Sequence, residues 1–374
     1  MSADLETTPT TGLLVQLCGD AHLSNFGVFA SPERRLVFDM NDFDETLPGP
    51  WEWDLKRLTA SFVIGCRATG YTAAEGHEAA VRVSTGYWER MAELAEMSNL
   101  EVWYSHIDVE DVFAQVTSKG MKKRGEKMVT KARSKDRLAA FSKLTEEVNG
   151  HRRFKNDPPV LVRIETGDLQ KRIQRQLLTY GKTLLHERRT LLESYKPVDV
   201  ARKVVGVGSV GTRCAVVLME GRNQQDPLFL QIKEAGPSSL EGYLPRSKYK
   251  NRGQRVVVGQ RLMQATSDIF LGWIRGDIGQ DFYMRQLQDM KGSVDLEAMV
   301  PAGVLLYADL CGRVLARAHA RSGDRFAIAS YLGKNKKFDA AMADFAEAYA
   351  DQNERDYDEL MKAIKLGKIE TMEG

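Results

Sequence analysis

The segment GDAHLSNFG, which begins at Gly19, constrains the fold of this chain more than any other feature. It follows a short apolar run, Leu13–Cys18, and places a carboxylate at Asp20, an imidazole at His22 and a carboxamide at Asn25 within six residues. A brief apolar run that ends in a Gly-Asp pair predicts a strand followed by a tight loop. The fold must therefore bring three polar side chains together at the end of one strand.

A hairpin is expected directly after this loop. The runs Phe26–Ala30 and Arg35–Met40 are rich in strand-forming residues, and a Ser-Pro-Glu-Arg turn separates them. The segment VFDMNDFDE at the end of the hairpin adds four carboxylates, at Asp39, Asp42, Asp44 and Glu45. Short acidic runs are often solvated turns. The spacing of this run from the first segment favours one shared site instead.

These residue types suit a magnesium-dependent phosphoryl transfer. Mg²⁺ prefers hard oxygen ligands and commonly binds one or two carboxylates together with phosphate oxygens. We expect Asn25 and Asp42 to hold the metal, and Asp39, which also ends a strand, is a further candidate. Asp20 would orient or deprotonate the acceptor hydroxyl. His22 would support the geometry of the loop.

A glycine-rich segment lies in the second half of the chain, within VVGVGSVGTRCAVVLMEG. Its candidate nucleotide-binding residues are Gly206, Gly208, Ser209 and Gly211. A β-branched run, Cys214–Leu218, follows the glycines, whereas a Rossmann unit would continue as a helix. A strand–loop–strand of this kind can cover nucleotide phosphates with backbone N–H groups. Lys233 on the next strand could then reach the phosphates, although a plain hairpin turn and an exposed lysine remain the alternative.

The rest of the chain separates into a helical part, a β-rich part and a helical tail. Helical spacing runs from Trp53 to about Met97, with a break near residues 70–73, and β-like runs replace it near Pro197. Further helices are expected over residues 170–193, 251–265, 304–319 and 338–364, and further strands over residues 203–207, 228–233 and 282–287. Three segments follow: 1–197 with the catalytic loop and metal site, 198–290 with the nucleotide site, and 291–374 with the remaining helices.

Together these residues resemble the protein-kinase-like phosphotransferases of the aminoglycoside- and choline-kinase type. The catalytic loop of that family runs G-D-x-H-x-x-N, which Gly19, Asp20, His22 and Asn25 match. Its metal-binding Asp stands at the end of a strand, and the helix after it often begins with Tyr-Asp-Leu about 12 residues on. Here Asp54 of the segment Trp53-Asp54-Leu55 lies 12 residues after Asp42, which favours Asp42 over Asp39. The resemblance implies an α+β, two-lobed fold with a β-rich small lobe and a helical large lobe, and an ATP- and Mg²⁺-dependent activity.

The chain is also similar, across nearly its whole length, to an uncharacterised bacterial family, domain of unknown function 2252. The segments that carry this similarity are GDAHLSNFGVFASPERRLVFDMNDFDETLPGPWEWDLKRL, GQRLMQATSDIFLGW and LARAHARSGD. This family implies a kinase-like ancestry but no established substrate.

The order of the motifs differs from that of ordinary kinases. The glycine loop follows the catalytic loop by about 180 residues instead of preceding it. The segment LARAHARSGD, residues 315–324, resembles the helix that normally leads into the catalytic loop. We expect a circular permutation, which is tolerated where the old termini are close and the new ones lie at the surface. It requires Lys233 to lie near Asp42, and the helix at 315–320 to lie near Gly19.

One residue of the kinase pattern is missing. Kinases pair the strand lysine with a glutamate on the next helix, but the expected helix Asn251–Ala265 contains no acid and has Val258 near that position. The nearest acids are Glu241 and Asp268. Lys233 could pair with Glu241 or with no acid, which leaves open a nucleotide-binding pseudokinase. A transfer of AMP instead of phosphate is a further alternative.

Composition excludes several other classes of protein. The 53 Lys and Arg nearly balance the 51 Asp and Glu, so no specific nucleic-acid or membrane partner is expected. The start of the chain lacks the pattern of a secretion signal, and the four cysteines and six histidines show no metal-ligand spacing. We expect a cytoplasmic protein whose partners are a nucleotide and a small-molecule or protein acceptor.

Two features have a structural interpretation beside a functional one. The nine basic residues within Lys119–Arg137 suit a solvated face, but could also hold an acidic substrate or nucleic acid. His319 on an Ala-rich helix is expected to be a packed or hydrogen-bonded residue rather than a catalyst.

Overall fold

The structure, a computed structural model, describes residues 1–135, 137–164, 169–204, 211–287, 290–333 and 336–369. Helices and strands both contribute to a mixed α+β fold. The helices are α1 (Ser2–Glu6), α2 (Trp51–Ala68), α3 (Ala73–Glu96), α4 (Asn99–Tyr104), α5 (Val109–Gln115), α6 (Lys119–Arg133), α7 (Arg137–Leu144), α8 (Leu169–Gly181), α9 (His186–Glu193), α10 (Arg252–Met263), α11 (Pro301–Ala320), α12 (Arg325–Leu332) and α13 (Lys336–Lys365).

The strands form one large sheet and three small ones. They are β1 (Leu14–Leu17), β2 (Phe26–Ala30), β3 (Leu36–Met40), β4 (Leu47–Pro50), β5 (Thr145–Val148), β6 (His151–Phe154), β7 (Leu161–Arg163), β8 (Lys196–Lys203), β9 (Cys214–Glu220), β10 (Pro227–Ala235), β11 (Gly272–Arg275), β12 (Asp281–Gln286) and β13 (Gly292–Ser293). The large sheet is antiparallel throughout, with the order β11-β12-β10-β9-β8-β7.

The helical part is built on α2, α3 and α11. Gly86 of α3 lies directly against Asp309 of α11, and Gly312 of α11 lies against the carbonyl of Val83. A Cβ atom at either glycine would collide with the neighbouring helix, so these positions let the two backbones approach closely. The main apolar core lies between these helices and the small sheets β1–β4 and β13-β2-β3.

The hairpin and strand expected around the first motif are confirmed. β1 precedes the loop that contains Asp20, and β2 pairs with β3 so that Gly27 faces Asp39. The break between the first two long helices falls at residues 69–72, where Thr72 and Glu75 form a capping box at the start of α3. Local sequence signals suffice at these positions because turn and cap residues act over only a few positions.

The large sheet extends beyond the β-rich segment that the sequence indicates. Strand β7 lies before residue 198 and pairs with β8, which itself begins at Lys196 rather than Lys203. The strand expected over residues 203–207 falls partly outside the described residues. Apolar side chains of α8 and α9 cover one face of the sheet, and those of α7 and β6 contribute to the other.

The basic stretch forms a regular helix, which the sequence pattern did not indicate. Helix α6 has few apolar side chains, and its buried residues are Gly125 and Ala132. Gly125 packs against the ring of Phe113 on α5. Two small residues therefore replace the apolar stripe by which an amphipathic helix is usually recognised.

Candidate functional site

Asp20 lies at the start of the loop after β1, with its side chain half exposed. Its carboxylate forms an ion pair with Arg57 of α2, and Nε2 of His22 lies 3.7 Å from Oδ2 of Asp20. Burial lowers the pKa of His22, and the Asp20 carboxylate offsets part of that decrease. The imidazole is therefore mainly neutral near pH 7. This places a solvent-accessible carboxylate and a neutral imidazole on one loop.

Asn25 ties that loop to the end of the hairpin. Its Nδ2 donates to the carbonyl of Asp42 at 2.9 Å and to that of Asp20 at 3.2 Å, while Oδ1 accepts from the backbone N–H of Asp42 at 2.7 Å. The residue is buried. Its carboxamide therefore fixes the backbones of both acidic residues, and its oxygen retains one further lone pair.

Lys233 of β10 meets the acidic segment directly. Its Nζ lies 2.6 Å from Oδ2 of Asp44 and 3.2 Å from Oδ2 of Asp42. The lysine side chain is only 10% exposed, whereas both carboxylates are more than a third exposed. The fold therefore brings together two candidate residues that are 191 positions apart in the chain.

The two carboxylates have opposite titration behaviour. Burial alone raises the pKa of Asp42, but the charges of Lys233, Arg285 and Lys291 outweigh it and lower the pKa to about 2. The pKa of Asp44 is raised, first by burial and then by the negative charge of Asp42. Asp42 therefore remains ionised throughout the physiological range, at the centre of the cluster.

Two further cations, Arg285 and Lys291, lie near Asp42. Arg285 of β12 donates from Nη1 to the carbonyl of Asn41 at 2.8 Å and from Nε to Oε1 of Gln231 at 3.1 Å. Burial and the nearby charge of Arg285 lower the pKa of Lys291 to about 8. Together with Lys233 they form a basic surface beside the carboxylates.

Asp39 serves a different purpose. Its Oδ1 lies 2.7 Å from Nη2 of Arg317, and its oxygens accept from the N–H groups of Met40 and Ala265 at 2.8 and 2.9 Å. Both members of this ion pair are almost fully buried. The Asp39 carboxylate thus links β3 to α11 and to the segment just after α10. Asp42 is therefore the better metal candidate.

A buried chain of hydrogen bonds supports the backbone of the loop that contains Asp20. Asp54 of α2 accepts from the backbone N–H groups of Cys18 and Gly19 at 2.6 and 3.0 Å. Nε2 of His319 lies 3.3 Å from Oδ2 of Asp54, and the hydroxyl of Tyr87 lies 2.9 Å from Nδ1 of His319. His319 is thus a buried hydrogen-bonded residue, as its sequence context indicates.

Helix α10 carries an arginine that faces the acidic segment. Arg255 is 2% exposed and donates to the carbonyls of Asp44, Thr46 and Gly236 at 2.7, 2.8 and 3.1 Å. The acid that pairs with Lys233 is accordingly Asp44, together with Asp42, and not Glu241. In this chain the helix contributes a cation, Arg255, which binds the backbone carbonyl of Asp44. In kinases the helix contributes an acid that contacts the lysine directly.

The glycine-rich segment is described only at its end. Gly206, Gly208 and Ser209 lie outside the described residues. Gly211 has φ +86°, a conformation that favours glycine. The flanking strands β8 and β9 pair in antiparallel register, and β9 also pairs with β10, which carries Lys233.

Two cavities are lined by neighbours of the cluster of Asp20, Asp42, Asp44 and Lys233, although none of these four side chains lines either cavity. The lining of one, of about 920 Å³, includes His22 and Arg57, which both contact Asp20. The lining of the other, of about 710 Å³, includes Arg285, Lys291 and Asn41, the residue before Asp42. We call them the Asp20-side cavity and the Asp42-side cavity. Each is large enough for a small ligand.

The cluster offers a limited set of metal ligands. Within the described parts of the chain, no group of three or more His, Cys, Asp or Glu side chains is arranged to hold a metal ion. Two carboxylates, Asp42 and Asp44, with one free lone pair on Asn25, suit a magnesium ion that takes its other ligands from phosphate and water. These are hard oxygen donors, the kind that Mg²⁺ prefers.

Four residues of this neighbourhood are not indicated by the sequence: Arg57, Arg255, Arg285 and Lys291. Asp44 belongs to the acidic run that the sequence places at the site, but its contact with Lys233 was not predicted. The four cations come from three separate regions of the chain, and no local pattern marks them.

The chain belongs to a family described as uncharacterized proteins conserved in bacteria (DUF2252), whose model matches residues 1–363. No curated protein and no solved structure matches it significantly. In the described residues, no helix is both long enough and apolar enough to cross a membrane.

Proposed function

We propose that this member of the DUF2252 family transfers the γ-phosphoryl group of ATP to a hydroxyl group, with Mg²⁺, in a circularly permuted, two-lobed kinase-like fold. The observation that carries the proposal is the contact of Lys233 with Asp42 and Asp44. Phosphoryl transfer needs a cation for the phosphates and a carboxylate for the metal within one site. If Lys233 and the two aspartates had separate structural roles, they would not need to contact one another.

The arrangement of the chain supports the permutation. Lys233 lies within 3.2 Å of Asp42. His319, at the end of α11, contacts Asp54, which in turn holds Gly19. Both spatial requirements of a permuted order are therefore met, although these residues are widely separated in sequence. The large sheet would be the small lobe, and α2, α3 and α11 would form the core of the large lobe.

We assign the nucleotide to the Asp42-side cavity. Its lining includes two cations, Arg285 and Lys291, and Asn41, the residue before Asp42. On binding, Nζ of Lys233 would exchange part of its contact with the carboxylates for phosphate oxygens. When bound by Asp42 and Asp44, Mg²⁺ supplies neutralisation of the charge on the β- and γ-phosphates.

Asp20 would act on the acceptor from the other side. Its carboxylate orients the acceptor hydroxyl and takes its proton as the oxygen attacks the γ-phosphorus. The bond between the γ-phosphorus and the β–γ bridging oxygen breaks, ADP leaves with that electron pair, and the proton passes from Asp20 to solvent. Arg57 holds the Asp20 carboxylate in place, and His22 stays neutral beside it.

A nucleotide-binding and labelling experiment tests this proposal. We expect ATP with Mg²⁺ to raise the melting temperature of the wild-type chain, and Lys233→Met to abolish that increase. Asp277→Asn is the control, because Asp277 is an exposed acid that pairs with exposed Arg172. This variant should show the same increase in melting temperature as the wild type.

Labelled ATP then separates the kinds of reaction. Transfer of the γ-label that is lost in Asp20→Asn and Asp42→Asn supports phosphoryl transfer. Transfer of the α-label would replace it with AMP transfer. Binding without either transfer, across a broad panel of acceptors, would indicate a pseudokinase, and absence of any nucleotide effect would overturn all three.

A further inference from the structure

The Asp20-side cavity has a composition that indicates what it binds. Its floor is an apolar face of α2 that includes Ala60 and Ile64, together with Leu23. The end of α6 and the segment 292–297 line another side, and α13 contributes Tyr349 and Asn353. At about 920 Å³ it is within the usual size range for a small-molecule site.

Helix α6 reaches this cavity through its last turn. The carbonyl of Lys135, just beyond the helix, accepts a hydrogen bond of 3.1 Å from the N–H of Met290. Ala132 is buried and lies against Gly292. These contacts fix the end of the basic helix beside the segment that separates the two cavities, so that Lys131 and Lys135 line the Asp20-side cavity.

The charged groups of the cavity differ in depth. Arg57, His22 and Lys135 are partly buried, and Arg57 is neutralised by Asp20. The acids that line the cavity, Asp295, Glu297 and Asp356, are all exposed, as is Lys131. Solvent screens exposed charges far more effectively than partly buried ones. Because Arg57 is paired with Asp20, the deeper positive charge of the cavity comes mainly from Lys135.

Neither lysine has a carboxylate within 4.0 Å among the described residues, and none of the hydrogen bonds found there involves their ammonium groups. Arg133, between them on the same turn, is paired with Glu110 and points to a different neighbour. Lys135 is partly buried, and its ammonium group has no partner within the described parts of the chain. Desolvating such a cation is costly, and an anionic ligand offsets that cost.

We propose that the Asp20-side cavity binds the acceptor, and that the acceptor is a small hydroxylated molecule with an anionic group, which Lys131 and Lys135 bind. This rests on the proposed function for the identity of the ligand as acceptor. The anionic group is a phosphate ester or a carboxylate. The apolar floor takes the carbon skeleton, and a hydroxyl then faces the Asp20 carboxylate.

Calorimetric titration with inorganic phosphate tests the anion site. We expect binding by the wild type and a loss of affinity of about tenfold or more in Lys131→Gln/Lys135→Gln, since hydrogen bonds to charged groups are the strong ones. The matched control is Lys123→Gln/Lys127→Gln, which removes the same charge from exposed positions of α6 outside the cavity. It should change the affinity by less than about twofold.

Glycerol 3-phosphate and glycerate distinguish the two sources of the anionic group, and neutral glycerol is the negative probe. Tighter binding of either anion than of glycerol, dependent on the two lysines, supports the proposal. An equal loss in both double variants would mean a diffuse basic surface and would overturn it, as would no loss in either.

Melting curves with ATP and Mg²⁺ on the same variants separate this inference from the proposed function. ATP with Mg²⁺ could raise the melting temperature of the wild type and the variants equally, while phosphate binding does not depend on Lys131 and Lys135. In that case only the acceptor inference fails. If phosphate binding depends on the lysines while ATP has no effect on any chain, the proposed function fails and the anion site stands.

Discussion

The acidic residues of the cluster show how neighbours decide the chemistry of a side chain. Asp42 and Asp44 stand two positions apart, and both contact the same lysine. Arg285 and Lys291 nevertheless contribute to the low pKa of Asp42, whereas the charge of Asp42 itself helps to raise that of Asp44. Burial and nearby charges thus give two adjacent carboxylates opposite pKa shifts.

The shifted pKa of Asp42 predicts a dependence of stability on pH. Because its pKa falls from 3.8 in the unfolded chain to about 2 in the folded one, its contribution is present above pH 4 and is lost as the pH falls toward 2. We expect the free energy of unfolding of Asp42→Asn to decrease less than that of the wild type over this range.

Urea unfolding at pH 5 and pH 3 measures this difference. The charged groups around position 42 are the same in the wild type and in Asp42→Asn. They are Asp44, Lys233, Arg285 and Lys291. Asp351→Asn, at an exposed surface ion pair, is the control. Parallel decreases in the wild type and Asp42→Asn would contradict the assignment.

At the scale of elements, the contact between α3 and α11 depends on glycine. Gly312 faces the backbone carbonyl of Val83 so closely that no Cβ fits, whereas Gly303 of the same helix has its nearest neighbours at 3.8 Å or more. The same change, glycine to alanine, therefore meets opposite conditions at two positions of one helix.

We expect Gly312→Ala to lower the free energy of unfolding by about 2 kcal/mol or more, because the backbones must separate. Gly303→Ala should leave it unchanged or raise it by up to about 1 kcal/mol, since alanine favours helix. Urea denaturation monitored by circular dichroism measures both. Similar losses in the two variants would show that the close contact is not the cause.

At the scale of the whole molecule, α10 joins the sheet to the helical part. Arg255 binds the carbonyls of Asp44 and Thr46 on one side and that of Gly236, just after β10, on the other. Ser238 adds a hydrogen bond of 2.7 Å to the carbonyl of Glu45. The acidic segment is thus held from the sheet side at several points.

We expect Arg255→Met to lower the free energy of unfolding by about 3 kcal/mol, because it leaves three carbonyls without their donor. Arg252→Met, one turn earlier and exposed, should cost less than about 0.5 kcal/mol. Denaturant unfolding gives both values. If the proposed function holds, Arg255→Lys should restore stability in part and nucleotide binding less well, since an ammonium group cannot reach three carbonyls at once.

Much of the fold can be predicted from the sequence, because its signals are local. The hairpin of β2 and β3, the break before α3, and the approximate extents of α10, α11 and α13 follow from turn residues, caps and apolar spacing. Helix α6 and the hairpin of β5 and β6 do not, since their few buried residues depend on distant neighbours such as Phe113.

The candidate site divides in the same way. Asp20, Asn25 and Asp42 stand out in the sequence because one strand and one hairpin bring them near each other. Three other features of the site depend on contacts between distant positions. Lys233 and Asp44 are 189 positions apart, Asp39 and Arg317 are 278 apart, and Arg255 and Asp44 are 211 apart. Coulombic and hydrogen-bond partners at that separation leave no local pattern.

That GDAHLSNFG forms a loop after a strand follows from local sequence, because a Gly-Asp turn and strand-forming residues act within a few positions. What surrounds that loop depends on tertiary packing. Asp54 holds the backbone of Gly19, and Lys233 contacts Asp42 at the end of the neighbouring hairpin. The physical reason is that burial and charge, which set the chemistry of these groups, depend on packing among all parts of the chain.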